Sequence, residues 1–170
     1  GIDDPLGRKE IMDARFNFER MGYSCRGTEV QAAIGCAELD EWMPNISRRK
    51  INAGWLMAGL ANLPVVLPNW SPEDSSWMIF PIRVDNAEER ERLTAHLEQN
   101  GIETRPLLPL TSQPYIRRYW AEHHPGSDID ECFPNAKMVN ETGFYIGCHQ
   151  HLDDEDIGYI IESFRDFYGA

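Results

Sequence analysis

A turn that runs straight into a capped helix constrains this chain more than any other feature. Gly22-Tyr23-Ser24-Cys25-Arg26-Gly27 is a turn element, and Thr28 followed by Gln31 has the spacing of a capping box. Val30, Ile34, Ala37 and Leu39 then recur at helical spacing, giving one apolar face. Ala32, Ala33, Gly35 and Cys36 give a face of small residues that lets another element approach closely. The pattern predicts one long helical tract from Thr28 to about Asn62. Pro44 predicts a kink or break near Trp42–Pro44, because proline lacks the backbone donor and clashes one turn back. Ile51, Trp55, Met57 and Leu60 are the expected packing residues of the second half, and Ser47-Arg48-Arg49-Lys50 reads as a solvated basic turn.

The rest of the chain alternates short elements. Gly1 to Asp13 reads as an irregular lead-in, and Phe16 and Phe18 suggest a short strand before Ser24. Leu63 to Asp74 is a proline-rich connection. Trp77 to Val84 is a strand that Pro81 confines to an edge or a bulge. Asn86 and Glu89 start a helix that runs to Asn100, with Gly101 past its end and Ile102 as the packing residue. A short strand follows from Ile102 to Arg105. Pro114 opens a short helix through Trp120, Glu122 to Phe133 is a polar loop, and Pro134 to Glu141 is a second short helix stopped by Gly143. Phe144 to Cys148 is a strand. Asp153 caps a final helix whose Ile157, Ile160, Ile161, Phe164 and Phe167 form an apolar stripe. The expected fold is α+β: a small, largely antiparallel sheet with packed helices, preceded by a long kinked helix.

Composition narrows the classes of function. At 170 residues with 42% hydrophobic and 11% aromatic content, the chain has the material for a folded core and is not a disordered segment. A net charge of −12 disfavours phosphate-backbone binding, since nucleic-acid binders carry a basic footprint. No apolar run reaches membrane-spanning length, and Gly1 to Glu10 lacks a signal-peptide pattern. The start without Met reads as a cut in a longer chain. Cys25, Cys36, Cys132 and Cys148 contain no CxxC pair, so free thiols in a reducing cytoplasm are expected.

The wording of Gly22, Tyr23, Arg26, Thr28, Gln31, Ala32, Ala33 and Gly35, with Glu29 where Asp is usual, resembles the signature of the DegT/DnrJ/EryC1/StrS sugar aminotransferases. Gly101-Ile102-Glu103-Thr104-Arg105-Pro106, Gln113-Pro114-Tyr115 and Gly143-Phe144-Tyr145-Ile146-Gly147-Cys148-His149 resemble later segments of the same family, in the same order. The resemblance implies the C-terminal part of a pyridoxal-phosphate (PLP) enzyme of fold type I. Its implied organisation is 1–27 as lead-in and active-site loop, 28–62 as a long linking helix, and 63–170 as the small C-terminal α+β domain. It also implies a homodimer, a nucleotide-sugar substrate and an amino-acid donor; composition predicts a cytoplasmic chain with no nucleic-acid or membrane partner.

The same resemblance assigns candidate residues. The family's loop reaches across the dimer and touches the neighbouring subunit's cofactor phosphate through an Asn; Ser24 stands there, a shorter donor. Arg26 holds the family's basic position, suited to a phosphate or diphosphate, and the helix start adds backbone N–H groups. Arg105, Gln113 and Tyr115 are the expected substrate contacts. A PLP enzyme needs a Schiff-base lysine. Lys9, Lys50 and Lys137 all read as solvated surface, so no catalytic residue is expected in this chain. Cys148-His149-Gln150-His151 with Cys132, His123 and His124 lacks the paired spacing of a zinc site, so no metal is expected. The charges of Glu88 to Arg92 and Asp153 to Asp156 read as helix-start surface. Two other readings stay open: a PLP-dependent sugar 3-dehydratase of the same family, and a non-catalytic dimerisation domain.

Overall fold

The computed structural model describes residues 27–69, 71, 73 and 75–169. The chain divides into two units, Gly1–Asp40 and Glu41–Ala170. Helix α1 (Glu29–Leu60) begins in the first and continues in the second. The expected capping box is present: Thr28 N–H donates to Gln31 Oε1 at 2.9 Å and Gln31 N–H to Thr28 Oγ1 at 3.2 Å. The predicted break is absent, and α1 runs through Pro44 as one 32-residue helix. One missing bond is a small loss in a helix whose second half is anchored by burial of Asn52, Ala53, Leu56 and Leu60. Val30, Ile34 and Leu39 are helical as expected but exposed.

In the second unit the elements are β1 (Ile79–Arg83), α2 (Ala87–Gln99), β2 (Thr104–Pro106), a 3-10 turn (Leu110–Ser112), α3 (Pro114–His123), α4 (Ile129–Cys132), α5 (Pro134–Thr142), β3 (Gly143–Gly147) and α6 (Asp154–Tyr168). The loop expected from Glu122 to Phe133 therefore holds one helical turn, α4, capped where Asp128 accepts from Asp130 N–H. The sheet order is β1-β3-β2, antiparallel throughout, as expected for this α+β layer. Pro81 fits because of its register. Cys148 N–H donates to Met78 O and Val84 N–H to Thr142 O, so even positions of β1 face β3. Pro81 therefore lies in the outward row, where no donor toward β3 is required. Arg83, next in that row, exchanges both backbone bonds with Val66, so the proline-rich connection covers that end of the edge.

Alternation along the strands sets the core. Phe80 and Ile82 of β1 and Phe144 and Ile146 of β3 are buried on one sheet face. They share a single cluster with Leu56 and Leu60 of α1, Leu93 and Leu97 of α2, and Ile157, Ile160 and Phe164 of α6. Trp77 joins them with its ring 5.8 Å from that of Phe80, although its backbone takes the left-handed φ of 39°. Helix α2 ends as its sequence indicates. Gly101 sits at φ 75°, Gly101 N–H donates to Glu98 O, and Ile102 N–H returns to Leu97 O, the two bonds of a Schellman motif. Helix α6 carries a full Asp153/Asp156 capping box and ends at Gly169 in the left-handed region.

Two expectations fail in a related way. Of the four expected packing residues, Leu60 is buried and Met57 packs against the core, but Ile51 and Trp55 are 46% and 40% exposed; Asn52, Ala53 and Leu56 complete the buried face of α1. Arg48, Arg49 and Lys50 are not a solvated turn. Arg48 donates to Leu152 O at 2.9 Å and to Asp154 at 2.7 Å, and Arg49 donates to Gln150 Oε1 at 2.8 Å. Asn52 Nδ2 donates to the carbonyls of His149 and Leu152. One helical turn thus holds the Cys148–Asp154 connection, whose backbone carbonyls need donors once buried. The charges of α2 are likewise more than surface: Glu98 accepts from the backbone and hydroxyl of Thr104, and Tyr168 donates to Glu89 at 2.8 Å.

Cys148 lies in this region, fully buried, and burial pushes its thiol up from 9.0 to about 11. The fold favours the protonated thiol, so this contribution to stability is complete below about pH 9 and is lost as pH rises through about 11. At pH 8 a thiol reagent is expected to label the exposed Cys36 and Cys132 in the native protein and Cys148 only in denaturant. Mass mapping of the labelled peptides checks this; native labelling of Cys148 would contradict its placement.

Candidate functional site

The candidate residues fall in three places. Ser24 and Arg26, on the turn before α1, lie outside the described residues. What is described there is the helix start itself, where Thr28 and Gln31 satisfy each other and fix the entry into α1.

Arg105 is the middle residue of β2, opposite Tyr145 of β3. Its Nε and Nη2 both donate to Glu103 Oε1, at 2.9 and 2.6 Å. That hydrogen bond holds the guanidinium pKa above its usual value and fixes the direction of the group. Neighbouring Glu98 is held below the usual carboxylate range by the bonds from Thr104. The α2 end, β2 and the end of β3 thus form one bonded patch on which Arg105 is oriented. It borders a cavity of about 520 Å³ together with Glu103, Tyr145, Gly147, His149 and Asp156.

Gln113 and Tyr115 are not among the residues lining that cavity. Gln113 is the residue before α3 and donates weakly to Ser112 Oγ at 3.4 Å; Tyr115, in the first turn, is 68% exposed. Of the three expected substrate contacts, Arg105 alone lines this cavity. His149 and Gly147 stand beside Arg105 without any expectation from sequence. The register Thr104↔Ile146, which places them there, comes from pairing and leaves no local sequence signal.

Two of the three lysines, Lys50 and Lys137, lie among the described residues. Lys50 is not the solvated residue its sequence context suggests: its amine is paired with Glu73 at 2.8 Å and its side chain is only 26% exposed. Lys137 is exposed on α5, and Lys9 lies outside the described residues. Cys148 Sγ donates to Arg49 O, and the rings of His149 and His151 are 6.0 Å apart. Among the described residues no group of three or more His, Cys, Asp or Glu is placed to hold a metal ion. No helix there is long and apolar enough to cross a membrane.

This small antiparallel sheet with packed helices is shared with part of solved PLP-dependent sugar enzymes. The Escherichia coli GDP-4-keto-6-deoxy-D-mannose-3-dehydratase, solved with bound hydrated PLP, superposes with a TM-score of 0.71 at 25% identity, over 90% of this chain and 39% of that one. The model of the DegT/DnrJ/EryC1/StrS aminotransferase family matches residues 5–165, and the chain belongs to that family. A dTDP-3-amino-3,4,6-trideoxy-alpha-D-glucose transaminase of Streptomyces venezuelae is 36% identical over 158 residues, covering 90% of this chain and 39% of the relative. A dTDP-4-dehydro-2,6-dideoxy-D-glucose 3-dehydratase of Saccharopolyspora spinosa is 30% identical over 159 residues, covering 91% and 34%. The chain thus spans between a third and two fifths of the length of these relatives. PLP is the cofactor of the family.

Proposed function

We propose that this chain is the C-terminal part of a PLP-dependent aminotransferase that moves an amino group from an amino acid, glutamate by preference, to a nucleotide-linked keto-sugar. The observation that carries this reading is the 36% identity to a sugar transaminase across 90% of the chain. The product would feed polysaccharide or secondary-metabolite synthesis. In this reading residues 1–27 are the lead-in and active-site loop, 28–62 the linking helix and 63–170 the small domain. Ser24 and Arg26 contact the cofactor phosphate across a homodimer interface, in the cytoplasm, and Arg105, Gln113 and Tyr115 contact substrate. The described lysines are paired with Glu73 or exposed on α5, which fits a Schiff-base lysine outside this chain and no transamination by the chain alone. No catalytic step is therefore assigned to the described residues.

The 30% identity to a sugar 3-dehydratase supports a second reading, in which the same cofactor serves removal of the C3 hydroxyl. Product mass separates the two. The complete gene product, given a dTDP- or GDP-linked 4-keto-6-deoxy sugar, PLP and glutamate, is expected to yield an amino sugar and 2-oxoglutarate. A 3-deoxy keto-sugar would move the assignment to the dehydratase. Neither product from either nucleotide series would count against both.

A further inference from the structure

We propose that the cavity beside Arg105 is a binding site for a free α-amino acid with an apolar side chain. This goes beyond the reading above, since it requires neither PLP nor a sugar.

The cavity exists because β2 stops short. Leu107 N–H donates to Gly143 O, so the odd residues of β3 face β2. The hydrogen-bonded pairs of that ladder are then Leu107 with Gly143 and Arg105 with Tyr145, and the next in register would be Glu103 with Gly147. That pair is not made: the ladder ends at Thr104↔Ile146, and no backbone bond joins Glu103 to Gly147. Just before this position the chain turns at Gly101, φ 75°, and the Glu103 carboxylate is bonded to Arg105. One backbone N–H and one C=O of Gly147 are left facing the gap.

The walls around this notch specify the ligand. The floor is apolar and buried, formed by Ile102, Ile146 and Ile160. His149 Nδ1 accepts from His151 N–H, so a neutral ring carries its proton on Nε2. The ring edge runs along the notch, with Cδ2 3.5 Å from where a Cβ on Gly147 would stand. Arg105 offers the N–H groups that Glu103 does not use. Asp156 also lines the cavity; it uses one oxygen in the α6 capping box and keeps the other.

Charge then decides between ligand classes. Arg105 and Glu103 cancel, and Asp156 leaves the lining acidic by one charge. A bare anion meets that carboxylate, and a bare cation leaves the donors unmet. An α-amino acid satisfies both. Its ammonium reaches Asp156 and Gly147 O, and its carboxylate takes Gly147 N–H, His149 Nε2–H and Arg105, so that it stands in for the missing strand residue. The side chain lies on the isoleucine floor. The volume of about 520 Å³ is in the usual range of small-molecule pockets, roughly 300–1,000 Å³.

The test is an NMR titration of the complete gene product labelled with 15N-glycine, with L-leucine as probe. The Gly147 amide is expected to shift saturably. The deaminated analogue 4-methyl-2-oxopentanoate and the decarboxylated analogue isoamylamine are each expected to bind at least about tenfold more weakly. Asp156→Asn, which keeps an oxygen for the capping box, should weaken leucine by a similar factor and leave the keto acid unchanged. A Gly147 amide that does not respond to leucine, or responds equally to the keto acid, overturns the proposal. Amino-acid binding at a PLP site alone would change the cofactor spectrum without moving this amide, so failure here is separable from failure of the aminotransferase reading.

Discussion

Replacing Phe164 by alanine is expected to remove about 3–5 kcal/mol of stability. Phe164 is fully buried in the C-terminal half of α6, and it belongs to the cluster that joins β1 and β3 to α1, α2 and α6. Truncation loses the transfer free energy of the ring and leaves a cavity that four elements would have to close together. Because a domain of this size is stable by only about 5–15 kcal/mol, the loss is a large fraction of the total. Urea unfolding of the variant should show a lower midpoint with an unchanged slope. A shift worth less than about 1 kcal/mol would mean that α6 does not close this core.

The second large effect concerns the start of β3. A Cβ at Gly143 would stand 2.6 Å from the backbone oxygen of Val139 and 2.9 Å from Leu107 Cδ1. The first of these atoms is main chain and cannot rotate away. Gly143→Ala should therefore separate β3 from the end of α5 and cost about 1–3 kcal/mol. Gly158→Ala is the internal comparison. Gly158 lies inside α6 with nothing within 4 Å of the point its Cβ would occupy, so the same methyl should stabilise the helix by about 0.5–1 kcal/mol. Opposite signs for one chemical change, read in the same thermal or urea series, would confirm both placements. Equal and small effects would contradict the close approach at Gly143.

The contrast between Gly143 and Gly158 also shows where sequence reasoning stops. Caps are legible because they are local: Thr28 with Gln31, Asn86 with Glu89, and Asp153 with Asp156 are each three residues apart. The stripe of α6 is legible because its period is regular and one face is buried. The second half of α1 misleads because Arg48, Arg49 and Asn52 serve partners about a hundred residues away. Polar residues that donate to a distant buried turn look like a solvated face in one dimension, and they displace Ile51 and Trp55 from the core side. Pro44 misleads for the opposite reason: a local rule against helix is outweighed by tertiary packing of the residues that follow. For the site, strand pairing brings Arg105 to the cavity that Gly147 and His149 also line, and only the register carries that information.

The central claim, that this chain is part of a PLP-dependent sugar enzyme, is tested most directly on the complete gene product. Its intact mass is read together with its absorbance in the aldimine region, roughly 330–430 nm, before and after borohydride. The account expects a product at least about twice the length of this chain, with a PLP band that borohydride fixes covalently to a lysine outside these residues. A long product that binds PLP without a reducible Schiff base would favour the dehydratase. A product no longer than this chain, colourless in the presence of PLP, would contradict the enzyme reading and leave an interaction domain in its place.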